Sequence, residues 1–203
     1  NCEELAQFDK EHLLPDHGLL SFFYETDTQC WGYDPKDQGC ARVYWFEDMS
    51  ALSAADFPAD MEEDFKFPMV KIKMDSKYSY PSWQDFSEMF PDEEDDDAFN
   101  DAWEELTGED PEDPDDRSQL LGWPDVIQNS MFSECDLVTQ GYYLGNGWIK
   151  IPKEVSQRAK ESALDRWMLL LQLDTVECGD FELMFGDCGH IYFYITKEDL
   201  AAR

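Results

Sequence analysis

The chain has 203 residues, 42% hydrophobic and 15% aromatic, with 15 Lys and Arg against 47 Asp and Glu, and a formal net charge of −32. Its 7 Trp, 9 Tyr and 14 Phe supply enough apolar surface for one sizeable core, so the charge does not imply disorder. So few cations argue against nucleic acid and against an anionic membrane surface, since neutralising phosphates takes Lys and Arg; the field favours a basic protein partner, or serves solubility.

The N-terminus, NCEELAQFDKEH, is polar and acidic, and the sequence holds no apolar stretch of membrane-spanning length. That predicts a cytoplasmic protein. None of the six Cys falls in a CxxC or other zinc-type spacing. Free thiols in a reducing compartment are expected, with Cys178 and Cys188 able to pair if oxidised.

In chain order, Leu5–Asp9 and Gly18–Tyr24 read as short strands. Residues 26–40 are rich in Gly, Pro and Asp and read as a loop. Ala41–Phe46 is a strand candidate, and Lys66–Met74 alternates apolar with polar as a half-solvated strand would. Ser82 can cap a short helix carrying Trp83, Phe86 and Phe90 on one face. Asp92, Glu93, Glu94, Asp95, Asp96 and Asp97 form an unbroken acidic run. After it, Ala98, Phe99, Ala102, Trp103 and Leu106 recur at helical spacing, with Gly108 as the stop. Glu109–Asp116 reads as an acidic linker. Gly122-Trp123-Pro124-Asp125 is a turn with an anchoring aromatic, and Met131–Val138 and Gly141–Leu144 read as strands. A helix is expected over Pro152–Leu164.

Two apolar runs near the end, Trp167–Leu173 and Gly189–Ile195, are short and continuous, which suits buried strands. Thr196, followed three residues on by Asp199, marks a helix start. The pattern Leu-x-Gln-x-Asp, loop, Gly, aromatic strand occurs twice, at 5–24 and at 170–195. It predicts an internal duplication: matching strand pairs, with Gln7 and Gln172 in equivalent positions inside apolar strands, where burial requires hydrogen-bond partners.

The pieces LLLQLD (169–174), FGDCGHIYFYITKEDLA (185–201), QLLGWPDVIQ (119–128), MFSECDLV (131–138) and GLLSFFYE (18–25), in their order and separation along the chain, resemble the bacterial YwqG-like family. The resemblance implies an internally duplicated α+β fold, antiparallel-rich with a few short helices. It implies one domain over 1–203, truncated at both ends, with halves at about 1–80 and 118–203 joined by an acidic helical insert (81–117). It marks motif positions without assigning them roles: Gln7, Asp9, Gly122, Trp123, Pro124, Asp125, Gln128, Gln172, Asp174, Gly186, Asp187 and Gly189. It also implies an association of such domains with toxin gene neighbourhoods.

Chemistry-bearing patterns are sparse. Asp174, Glu177, Asp180 and Asp187 crowd one loop, but not at the spacing of a calcium-binding loop, and turn chemistry accounts for them. His12, His17 and His190 accompany no nucleophile motif, and Cys188 and His190 are neighbours without forming a nucleophile–base pair by default. No metal and no cofactor is expected. The reading is a non-enzymatic protein-binding module, in its sharpest form immunity-like against a basic toxin, with Asp92–Asp97 as its binding run. The alternative is an enzyme or small-ligand binder with a cleft between the halves.

Overall fold

The structure is a computed structural model, and it describes residues 1–108, 118–145, 150–187 and 189–202. It is an α+β fold in which every strand pair is antiparallel. The centre is a three-stranded sheet ordered β3 (Gln119–Leu120), β4 (Trp167–Leu173), β7 (Ile191–Thr196). β1 (Leu19–Tyr24) and β2 (Ala41–Phe46) form a separate hairpin, and β5 (Val176–Cys178) and β6 (Phe181–Leu183) a small one.

The two faces of the central sheet are filled differently. On one, Leu170 and Phe193 pack with Leu14 and Leu200 against Leu20, Phe22 and Val43 of the β1–β2 hairpin. The Phe22 and Phe193 rings meet edge to face at 5.2 Å. On the other, Trp167 and Tyr194 pack with Phe132 and Ala163 of helices α4 (Phe132–Thr139) and α5 (Lys153–Arg166).

The register between β4 and β7 shifts between Leu169 and Leu171. Before the shift, Trp167 and Leu169 stand opposite Thr196 and Tyr194; after it, Gln172 stands opposite Tyr192. Strand side chains alternate faces, so this one extra residue turns Gln172, rather than Leu171, toward the α4 side.

α5 passes into β4 with no residue between them. The joint is held by the buried Asp136 of α4, whose Oδ1 accepts from Arg166 Nη1 at 2.6 Å and from Trp167 Nε1 at 3.2 Å. Gln140 Nε2 donates to the other oxygen at 2.7 Å.

Several expected elements form as read: both strands of the 167–196 stretch, the 41–46 strand, and the helix of 153–166. α2 (Trp83–Met89) is capped by Ser82, α3 (Asp96–Thr107) ends at Gly108 in the left-handed region, and α6 (Lys197–Ala201) is capped by Thr196 with Asp199. Five expectations are corrected. Leu5–Asp9 is no strand: Leu5 ends the helix α1 (Cys2–Leu5), and its carbonyl accepts from Phe8 and Asp9 in the turn that follows. The duplicated strand pair is therefore not found, and β1 pairs with β2 instead.

Among the described residues Lys66–Met74 pairs with no strand; Met69 is 88% and Ile72 81% exposed, while Phe67, Val70 and Met74 are half-buried. Alternation describes two faces, but a strand also needs an edge to bond to. Met131–Val138 is helical, because Phe132, Ser133, Asp136 and Leu137 fall on one helical face that α4 buries. Gly141–Leu144 is irregular, with Leu144 N–H donating to Tyr33 O at 2.9 Å. The Glu109–Asp116 linker lies outside the described residues.

Candidate functional site

The Gly122–Asp125 turn is hung on the sheet by side chains. Gly122 has φ +75°, and a Cβ there would overlap Ser79 Oγ, so glycine is required by both backbone and space. Ser79 Oγ accepts from Trp123 N–H at 2.9 Å, and Gln119 Nε2 donates to Trp123 O. Trp123 stacks edge-on against Phe132, and Pro124 is fully buried. The Asp125 peptide is gripped on both sides: its N–H donates to Gln172 Oε1 at 2.8 Å, and its carbonyl accepts from Tyr192 OH at 2.7 Å. Gln172 has 0% exposure, so its amide is committed to the interior.

His190 completes this constellation. Its side chain is 3% exposed and lies between two carboxylates, Nδ1 at 2.9 Å from Asp174 Oδ1 and Nε2 at 3.9 Å from Asp125 Oδ2. The bulge, the turn and the strand end thus bring Gln172, Asp174, Asp125 and His190 together. Sequence reading marked the first three as motif positions and weighed His190 only as a base beside Cys188; its place two residues before Tyr192, just ahead of the strand, was the signal available.

A second polar concentration lies beside α4. A cleft of about 300 Å³ is lined by Glu88 of α2, Asn129, Ser130, Glu134 of α4, and Ser156 and Lys160 of α5, with Leu137 and Leu144 supplying apolar wall. Ser130 lies against the carboxyl of Asp85, which has 0% exposure. Burial pushes Asp85 up from 3.8 to about 6, against the opposing hydrogen bonds of Ser130 and Ser82. Burial, and then the Glu88 carboxylate, also raise Glu134. The neighbouring Cys135 thiol is pushed up to about 12 by burial and then by Glu134, so it is no thiolate nucleophile at neutral pH.

The remaining predicted residues are dispersed. Asp92–Asp97 are all exposed, and Asp95 caps α3, its carboxylate accepting from Ala98 N–H at 2.9 Å. Behind them Phe99 and Trp103 are half-buried in an aromatic cluster with Tyr80, Trp83 and Phe86. Gln7 is exposed and donates to Glu4 O, so it does not mirror Gln172. Asp9 accepts from Leu14 N–H at 2.7 Å, and Gln128 is exposed. Gly186 N–H donates to Gln29 Oε1, tying that loop to residues 26–40, while Gly189 N–H donates to Phe185 O at 2.8 Å. Glu177, Asp180 and Asp187 are exposed.

The thiol expectation is corrected at one pair: Cys30 and Cys40 form a disulfide across the β1–β2 connection. Their spacing resembles no metal motif, and only the folding back of the hairpin brings them together. Cys2, Cys135 and Cys178 are free; Cys188, and with it the considered Cys178 pairing, lies outside the described residues. Among the described residues, the group of three metal-type side chains with ligand atoms all within 4.8 Å of one another is Cys30, Asp37 and Cys40, and the bonded sulfurs leave that set no thiolate. No helix among the described residues is long and apolar enough to cross a membrane.

This is an α+β domain with a pinned Gly-Trp-Pro-Asp turn and a separate acidic cleft. Over residues 1–203 it matches the model of the family described as a domain of unknown function, DUF1963, and the chain belongs to that family. No curated protein and no solved structure matches it.

Proposed function

We propose that this domain is a non-enzymatic binding module of the YwqG-like type, and that Asp92–Asp97 captures a basic protein partner. The observation that carries this reading is the placement of the run: six exposed acids leading into an ordered helix, just after Phe90, itself 51% exposed. Acids at a helix N-terminus are held favourably by its dipole. A fixed acidic stretch beside apolar surface gives steering and then a contact. In its sharpest form the partner is a basic toxin and the role is immunity-like, exerted in the cytoplasm.

The test separates the run from the overall charge. Asp92–Asp97 are replaced by Ser in one variant, and six exposed acids elsewhere (Glu3, Glu4, Glu11, Asp56, Asp60 and Glu62) in another. Basic proteins captured from the source cells are compared at low and physiological salt. The reading requires capture to be lost only in the first variant; equal loss in both reduces the run to bulk charge. A second reading, a ligand cleft, is favoured by the cavity beside α4, which lies against the helical insert rather than between two halves.

A further inference from the structure

The end of the β1–β2 hairpin gathers side chains of the kind that hold metals. The sulfurs of Cys30 and Cys40 and a carboxylate oxygen of Asp37 all lie within 4.8 Å of one another, and the three residues are half-buried. A fourth donor stands beside them: Glu25 Oε2 is 4.0 Å from Cys30 Sγ. The backbone fixes both sides of this set. Glu25 N–H donates to Cys40 O at 2.8 Å, continuing the strand pair. Cys40 N–H donates to Asp37 O at 2.9 Å in a tight turn through Gly39, whose φ is +121°. Tyr24 OH donates to Cys30 O at 3.1 Å. Glu25 Oε1 accepts from Asp27 N–H and Thr28 N–H, and the Thr28 hydroxyl donates to Oε2, an orienting contact of the type that metal-binding carboxylates receive. None of these bonds depends on the Cys30–Cys40 link, so opening it leaves the donors gathered.

We propose that the reduced Cys30–Cys40 pair, with Asp37 and Glu25, binds one zinc ion. Two thiolates beside two carboxylates repel one another at one hairpin end, and a divalent cation removes that conflict while deprotonating the thiols it binds. The site is loaded in two balanced steps. A monothiol reductant opens the disulfide by exchange: two of its molecules are oxidised to their own disulfide, and the Cys30–Cys40 bond is reduced to two thiols. The zinc ion then replaces the two thiol protons, which leave to solvent as two zinc–sulfur bonds form. Two sulfur donors disfavour calcium and magnesium, two oxygen donors disfavour copper(I), and four mixed donors suit the zinc tetrahedron. The loop of residues 26–40 is tied to two other segments, through Gln29 Oε1 to Gly186 N–H and through Tyr33 O to Leu144 N–H. Its closure is covalent under oxidising conditions and passes to the metal under reducing ones. The inference does not rest on the role of Asp92–Asp97.

The experiment uses the whole chain, reduced with a water-soluble phosphine and then freed of reductant and metals under nitrogen. Cobalt(II) is titrated as a coloured stand-in and afterwards displaced with zinc. One equivalent should give a thiolate-to-cobalt absorption band, and zinc should abolish it. The chain that was never reduced should give none. Asp37→Asn keeps both sulfurs and the disulfide, and should weaken binding about tenfold through the loss of one charged ligand. Glu25→Gln should weaken it less. Cys178→Ala removes an exposed thiol outside the set and should bind as the parent does. Cys30→Ser combined with Cys40→Ser should abolish the band. Circular dichroism of each variant reports whether it is folded, and Asp37→Asn carries the test if the double variant is not. No band at one equivalent, an undiminished band in the double variant, or affinity unchanged by both Asp37→Asn and Glu25→Gln would each overturn the proposal.

Discussion

Asp125 and Gln172 are 47 positions apart, yet the Asp125 N–H points at the Gln172 amide oxygen at 2.8 Å in the interior of the fold. The bond seats the Gly-Trp-Pro-Asp turn on the sheet. Replacing Gln172 by Leu keeps the bulk and removes the acceptor, leaving a peptide N–H without that partner. Such a loss costs about 1–3 kcal/mol. Tyr192→Phe, which removes the donor to the same residue's carbonyl, should cost about 1 kcal/mol. Since both grip one residue, the double variant should depart from additivity. Urea melts of the three proteins decide this; a Gln172→Leu protein as stable as the parent would show that the turn does not depend on the bond.

Asp85 gives the molecule a pH dependence of definite sign. Its value in the fold, about 6, lies above the ordinary 3.8, so folding favours the protonated form. The stability this confers is complete below 3.8 and is lost as pH rises through about 6. The gap between the two values corresponds to about 3 kcal/mol as an upper figure. Asp85→Asn carries no charge to desolvate. It should match the parent at the acid end and exceed it in stability above about 6, by about 1–3 kcal/mol. Melts across that range are the check, and parallel curves for the two proteins would contradict it.

The Cys30–Cys40 bond closes a short loop, and reducing it should lower stability by about 2–3 kcal/mol on the chain-entropy account. The double variant Cys30→Ser, Cys40→Ser should show the same loss without added reductant. Alkylation in intact cells followed by peptide mapping tells where the bond exists. A bond already formed in the cell counts against the cytoplasmic placement, because that compartment keeps ordinary thiols reduced.

What was legible in the sequence is what depends on neighbours in the chain. Trp167–Leu173 and Gly189–Ile195 read as strands from their own side chains, and the Thr196 cap and the Gly108 stop from one or two residues each. Leu5–Asp9 and Lys66–Met74 carry equally good strand patterns but pair with no edge among the described residues, which no local pattern reveals. Met131–Val138 fits either period, and contact with α5 decides for the helix.

The site was half legible for the same reason. Asp125, Gln172 and Asp174 were marked by motif, but the shift at Leu169/Leu171 that aims Gln172 is a property of two strands together. Glu88 comes from a segment far from Ser130 and Glu134, and nothing in the sequence joins them. The match of Gln7 to Gln172 was in letters only: one is at the surface, the other at the centre.

The direct passage from Arg166 to Trp167 has a mechanical meaning. A hinge needs a few residues whose backbone angles can absorb a rotation, and here there are none. With Asp136 clamping both sides of the joint, α5 and β4 form a stiff elbow braced by α4. Lys160 sits on one arm and Gln172 on the other. A push on the helical arm must either break the Asp136 brace or tilt the strand that carries the turn.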